Sequence, residues 1–188
     1  VKNELSVANS VFFDNRSGLG GVFYIGGQDG QLSSINNTYY QSLAGNSGSV
    51  LFDASGGTAT VRWYNNINSG ELVEPDEALI VQTSIGSVFE GTNNISGGQT
   101  LSGENNLVVD PQFVSTNIRN LDLRLSHCSP AVNAGDDARL PMGISLDFEG
   151  NPRQFNTVDI GAFELQSDPF EITAVETDAV SCFGDSDG

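Results

Sequence analysis

The stretch "VANSVFFDNRSGLGGVFYI" (Val7–Ile25) returns as "INNTYYQSLAGNSGSVLFD" (Ile35–Asp53), and laying one on the other decides the fold. With Val7 on Ile35 the offset is 28 residues. Asn9 then falls on Asn37, Ser10 on Thr38, Phe12 on Tyr40, Gly20 on Gly48 and Val22 on Val50. Each unit is a strand, a polar turn and a glycine-led second strand. A looser third unit starts near Val61 with "VRWYNN", and "ALIVQ" (Ala78–Gln82) is its second strand. Further apolar strands fall at "SIGSVFEG" (84–91) and "NNLVVDPQF" (105–113).

A period in the twenties, made of short strands and Gly/Asn turns, predicts a solenoid. Val, Ile, Phe and Tyr dominate the strands, which suits stacked sheet, and no leucine-repeat consensus with its helix is visible. The expected class is therefore all-β, a parallel β-helix whose inward residues form one continuous core. Val7, Ile35 and Val61 are expected to stack in register on one parallel sheet. "NSGELVEPDEA" (68–78), with its four acids and a proline, reads as an exposed excursion between coils.

Composition agrees. There are 22 glycines, and Lys2 is the only lysine, so the chain is poor in the mixture that long helices need. The 24 acidic against 7 basic residues give a formal charge of −17. That charge repels nucleic acid and anionic membrane surfaces and suits a soluble secreted surface. No apolar run approaches the roughly 20 residues of a membrane span. Two cysteines, Cys128 and Cys182, make neither a disulfide framework nor a metal cluster; a single bridge and two separate thiols both stay open. Both chain ends read as cuts through a longer protein.

A solenoid leaves unpaired strand edges at its ends, and an atypical terminal segment normally covers them. "DPQFVSTNIRNLDLRLSHCSPAVNAGD" (110–136) and "LDFEGNPRQFNTVDIGAFE" (146–164) have that character. The order "NNLVVDPQF", "LDLRLSHCSPAVNAGD", "LDFEGNPR", "VDIGAFE" resembles the C-terminal end of secreted bacterial right-handed β-helix proteins, common in Bacteroidota. "VRWYNN" departs from the Asn-Ser form usual in their last coils. The tail "ITAVETDAVSCFGDSDG" (Ile172–Gly188) is similar to the start of the SprB-type repeat of giant gliding-motility adhesins. The resemblance implies export by a type IX secretion system, a place at the cell surface, and partners among surface glycans or other cell-surface ligands and secretion or gliding components. The expected division is 1–109 β-helix coils, 110–166 cap, and 167–188 linker plus the first strand of a β-sandwich-like repeat, with "SDPFE" (167–171) at the boundary.

Candidate sites are few. Asp147, Glu149, Asp159 and Glu164 lie close in sequence to Arg153. They suggest either a calcium or sugar-acid site, or an arginine that ties the cap together through a carboxylate and carbonyls, with Gly150 and Pro152 making the turn. The second reading is preferred. His127 and Cys128 are adjacent, and adjacent strand residues point to opposite faces, so a thiol–imidazole pair is not expected. Trp63, Tyr39, Tyr40 and Tyr64 read as packing rather than sugar platforms. Asn9 and Asn37, at equivalent places one coil apart, are expected to hydrogen-bond in the turn. The acidic pairs Asp136–Asp137 and Asp185–Asp187 admit Ca²⁺ but lack a full ligand spacing. Region 7–109 offers only Arg16 and Arg62 as bases, with no lysine or histidine. Lyase chemistry on uronates needs a positioned base, and hydrolases need two or three acids on one face. No catalytic, cofactor or metal residue is therefore assigned. The expectation is a structural, adhesive, non-enzymatic segment of a very large secreted protein. The alternatives are a carbohydrate-active β-helix with its catalytic coils elsewhere, and a plain spacer for a distal binding module.

Overall fold

Every paired strand before residue 109 pairs in parallel. A computed structural model describes residues 4–26, 29–47, 50–53, 56–70, 80–82 and 86–167. Its first layer holds β1 (Glu4–Ala8), β2 (Val11–Phe13), β3 (Arg16–Leu19) and β4 (Phe23–Ile25). The second holds β5 (Gln31–Ile35), β6 (Thr38–Tyr40), β7 (Leu43–Ser47) and β8 (Leu51–Asp53). The third holds β9 (Thr60–Tyr64), β10 (Ile67–Ser69) and β11 (Ile80–Gln82), followed by β12 (Val88–Thr92), β13 (Ile95–Ser96) and β14 (Leu107–Val108). The sheet orders are β1-β5-β9-β12, β2-β6-β10-β13-β14, β4-β8-β11 and β3-β7. The chain is thus all-β with successive parallel layers. Of the excursion expected over 68–78 only 68–70 are described. The repeat strand expected near the C-terminus, with Cys182, Asp185 and Asp187, lies outside the described residues.

The offset between layers is not uniform. Glu4 pairs with Gln31 (27 residues on), Gln31 with Thr60 (29) and Thr60 with Val88 (28). Between the first two layers a β-bulge does the adjusting. Arg16 pairs with Leu43 at an offset of 27, but Leu19 pairs with Ser47 and Phe23 with Leu51 at 28. The expected offset of 28 therefore holds after the bulge and is one residue too long before it. Phe12 pairs with Tyr39, not Tyr40, and Asn9 is the counterpart of Asn36, not Asn37. Val7, Ile35 and Val61 do share one parallel sheet but not one row: Val7 meets Ser34, Ile35 meets Ala8 and Tyr64, and Val61 meets Leu32.

The correct register puts like on like. Leu32, Val61, Tyr39, Trp63, Val50, Leu51, Ile80 and Leu101 form one buried cluster drawn from three of the sheets. Each such side chain contributes about 1.5–3 kcal/mol by leaving water. Phe12 stacks on Tyr39 with centroids 5.0 Å apart, and Tyr39 stacks on Trp63 at 5.0 Å. Trp63, Tyr39, Tyr40 and Tyr64 are all buried, as expected of packing residues.

The turns between the first two sheets are built by asparagine pairs. Asn9, Asn36, Asn65, Asn93 and Asn105 take left-handed φ of 48°, 53°, 54°, 53° and 56°, a region asparagine tolerates better than most residues. The residue after each, from the second layer on, is again asparagine, and its amide serves the layer before it. Asn66 Oδ1 accepts from Asn37 N, and Asn66 Nδ2 donates to Ser34 O, both at 2.9 Å. Asn94 does the same for Asn66 N and Trp63 O, and Asn106 for Asn94 N and Gly91 O. Asn37 serves Ser10 N and Val7 O. Each amide thereby satisfies two backbone groups that a sharp turn would leave bare.

The short return between β13 and β14 covers the last layer at β11. Leu101 enters the core, and the Gln99 amide stands in for a further strand on β11: its Oε1 accepts from Ile80 N at 3.0 Å and its Nε2 donates to Ile80 O at 3.2 Å. Replacing Gln99 by alanine frees both groups. It is expected to cost about 1–2 kcal/mol and to speed aggregation through the bared edge. Urea unfolding and light scattering on warming measure the two effects.

Residues 110–166 lie across the side of the stack rather than over its end. β15 (Phe113–Ser115) and β16 (Asp122–Leu125) form an antiparallel hairpin, and the rest is irregular strap with one 3₁₀ turn, Asp137–Arg139. The left-handed asparagines reach out to it one layer at a time. Asn93 donates to Ala134 O, Asn65 to Asp136 O, Asn36 to Asp159 O and Asn9 to Leu146 O. Ile160 and Leu125 are buried in one cluster with Ile67 and Ile95, and Leu123 and Phe163 in another with Tyr40. Phe113 packs against both clusters and is only partly buried. At Gly161 (φ 103°) a Cβ would meet the Ile67 side chain at 2.7 Å, so only glycine lets the strap come this close.

Candidate functional site

An irregular strap has few ladder hydrogen bonds, so its backbone N–H groups need other acceptors. Carboxylates supply them. Asp147 Oδ1 accepts from Glu149 N and Asn151 N at 2.9 and 2.8 Å, and its Oδ2 from Glu164 N at 3.0 Å. Asp159 takes Asn133 N at 2.6 Å and Leu165 N at 2.7 Å. Glu164 takes Phe155 N and Asp159 N, both at 3.0 Å. All three carboxylates are buried, and Arg153 is buried among them.

Arg153 ties the strap through carbonyls, as the preferred reading expects, but makes no hydrogen bond to a carboxylate. Its Nη2 donates to the carbonyls of Asp159 and Gly161, both at 2.8 Å, and its Nε lies 3.9 Å from Glu164 Oε2. Nε and Nη1 meet no hydrogen-bond acceptor, so toward the carboxylates the guanidinium acts as a charge rather than as a fork. Glu149 stands apart, exposed at the surface.

Three carboxylates around one guanidinium leave a buried excess of negative charge. Burial pushes the Glu164 carboxyl up to about 7; the N–H groups of Phe155 and Asp159 oppose this, the Asp159 charge adds to it, and Arg153 opposes it. Burial likewise raises Asp159, against the N–H groups of Leu165 and Asn133. A folded pKa above the unfolded value of 4.5 means that the folded protein holds the Glu164 proton more tightly. Its stabilising contribution is full below pH 4.5 and is lost as pH rises through 7. The expected loss over that window is on the order of 3 kcal/mol. Urea midpoints from pH 5 to 8 should fall for the native chain and be flatter for Glu164→Gln.

The other sequence candidates are placed as follows. Asp136 Oδ1 accepts from Ala138 N and caps the 3₁₀ turn, while Asp137 Oδ1 accepts from Val158 N and ties that turn to a later part of the strap. Tyr64 is buried with the Arg139 guanidinium 4.4 Å above its ring. Arg16 pairs with Asp14, and Arg62 lies 3.6 Å from Glu90. Cys128 is exposed and free. His127, also exposed, has its Nδ1 3.3 Å from Ser167 Oγ and is not paired with the thiol. Sequence reasoning missed the groove of about 550 Å³ beside the carboxylate cluster, between the hairpin, the Glu149–Asn151 turn and Phe163–Gln166. Its residues come from four separate stretches, and no spacing in the sequence signals that.

No family model, no curated protein and no solved structure matches the chain.

Proposed function

We propose that the parallel layers are coils of a right-handed parallel β-helix, and that this rod is a non-catalytic adhesive segment of a secreted cell-surface protein. The helix reading is supported by the in-register offsets of 27, 29 and 28 residues and by the core shared among three sheets. Strand-to-crossover-to-parallel-strand connections are right-handed in nearly all proteins.

The observation that carries the functional reading is where the acids face. A hydrolase needs two carboxyl groups open to a glycosidic bond. Here Asp147, Asp159 and Glu164 are turned inward, and each holds backbone N–H groups. What remains outside is the surface of the stacked layers, where Glu4, Asp14, Asp29, Glu90 and Glu104 are exposed at non-equivalent places. Weak contacts along such a surface multiply through effective concentration. Secretion by the type IX route and partnership with gliding components belong to the same proposal and rest on the sequence resemblance.

The test is to incubate the chain with neutral and acidic polysaccharides, with and without calcium, and to measure retention on polysaccharide-coated surfaces. Retention without new reducing ends or unsaturated, ultraviolet-absorbing products is the expected result. Cleavage would replace the adhesive reading with the carbohydrate-active one.

A further inference from the structure

The groove beside the carboxylate cluster is a concave surface that the strap's own hydrogen bonding leaves unexplained. Phe113, Val114 and Leu165 give it apolar lining, and Val114 is half exposed. Arg124, His127, Glu149 and Asn151 line it with polar groups. Its walls are fixed from behind. Glu164, also in the lining, is pinned by two backbone N–H groups, and Asn151 N is held by Asp147.

We propose that this groove binds a short stretch of a neutral polysaccharide. The identity of the occupant follows from charge and hydrogen-bonding sense. The Arg124 guanidinium is already engaged by Asp122, with Nε 2.9 and 3.1 Å from its two oxygens and Nη2 2.5 Å from one of them. The charge of Glu149 adds to that engagement. An anionic ligand therefore finds no uncompensated arginine here, and the chain's −17 charge repels it. Sugar hydroxyls both donate and accept. The rim offers donors in Arg124, an acceptor in Glu149 and, in His127, an imidazole whose ring nitrogens donate or accept according to the tautomer. Gln166 spends its Nε2 on Pro152 O and Glu164 O and keeps its carbonyl oxygen as an acceptor. The apolar lining suits the C–H face of a pyranose ring. The volume lies within the range of pre-formed small-molecule sites, and pre-organised walls reduce the entropy lost on binding.

The inference rests on the adhesive reading for the kind of ligand, but the two fail separately. The experiment titrates the full chain with hexasaccharides of cellulose, mannan, xylan and laminarin while amide chemical shifts are followed. Saturable shifts confined to Val114, Arg124–His127 and Glu149–Asn151 are expected with at least one of them. Val114→Glu and Glu149→Ala should each weaken that binding about tenfold or more without moving the thermal midpoint. The proposal is overturned by no saturable shift with any of the four at about 10 mM. Saturation by an oligouronate or a peptide in their place overturns it as well. If Val114→Glu leaves retention on polysaccharide surfaces intact, the groove is not the contact and the adhesive reading stands. If the chain cleaves the polysaccharide, that reading fails whatever the groove binds.

Discussion

Replacing Asn66 by alanine is expected to lower the unfolding free energy by roughly 3–4 kcal/mol, because buried donors and acceptors left bare cost about 1–3 kcal/mol each. The Asn66 side chain accepts from Asn37 N and donates to Ser34 O, and it also accepts from Ser34 Oγ at 2.9 Å. It is fully buried, so water does not replace these bonds. For a chain of this length that loss corresponds to a fall in Tm of about 10 °C. Asn66→Asp keeps the acceptor, loses the donor and buries a charge against a carbonyl, so it should be no better than alanine. Asn15, half-buried with one 3.4 Å contact to Phe13 O, is the control, and Asn15→Ala should change stability by less than about 0.5 kcal/mol. Equilibrium urea unfolding reads all three variants. An Asn66→Ala chain as stable as Asn15→Ala would mean that the amide ladder is not what holds the turns.

Removing the charge of Arg153 should cost about 3–5 kcal/mol, the usual result of stripping one partner from a buried ionic cluster. Arg153→Met leaves Asp147, Asp159 and Glu164 buried without a cation and frees the carbonyls of Asp159 and Gly161. Part of the cost is repulsion among the acids. The double variant Arg153→Met/Glu164→Gln should therefore recover about 1–2 kcal/mol, a coupling that a double-mutant cycle isolates. The damage should also be local. Amides that donate to the cluster, at Asn133, Phe155, Asp159 and Leu165, should lose hydrogen-exchange protection, while Asn37 and Asn66 keep theirs. Equal loss at both sets would show that strap and layers unfold as one unit.

The sequence carried the period but not the register. Val, Ile and Tyr at repeating places announced stacked strands, since those residue types fit a pleated, half-buried surface. The bulge between Ser17 and Leu19 left no mark, because an extra residue in an exposed strand changes neither composition nor period. One residue of error moved the pairing from Asn36 to Asn37, which hid that the asparagines come in pairs with separate duties. The first of each pair takes the left-handed turn, and Asn36, Asn65 and Asn93 also grip the strap; the second serves the preceding layer. Arg153 was legible as a tie because Gly-Asn-Pro-Arg beside "VDIGAFE" supplies a turn, a cation and acids close together. That the strap lies along the layers and not across their end was not legible. It depends on contacts such as Asn9 to Leu146 and Asn36 to Asp159, more than 120 residues apart. Gln99 gave no signal either, since one glutamine in a polar return looks like any loop residue.

The stacking of the layers is the central claim, and a distance across four strands tests it most directly. Ser6 pairs with Ser33, Ser33 with Arg62 and Arg62 with Glu90, and both Ser6 and Glu90 are exposed. Spin labels on Ser6→Cys and Glu90→Cys, with Cys128 and Cys182 replaced by serine, should report a narrow distribution. Three strand spacings place the two backbones about 15 Å apart. A broad distribution, or one centred beyond about 30 Å, twice the separation that parallel stacking allows, would contradict the stack.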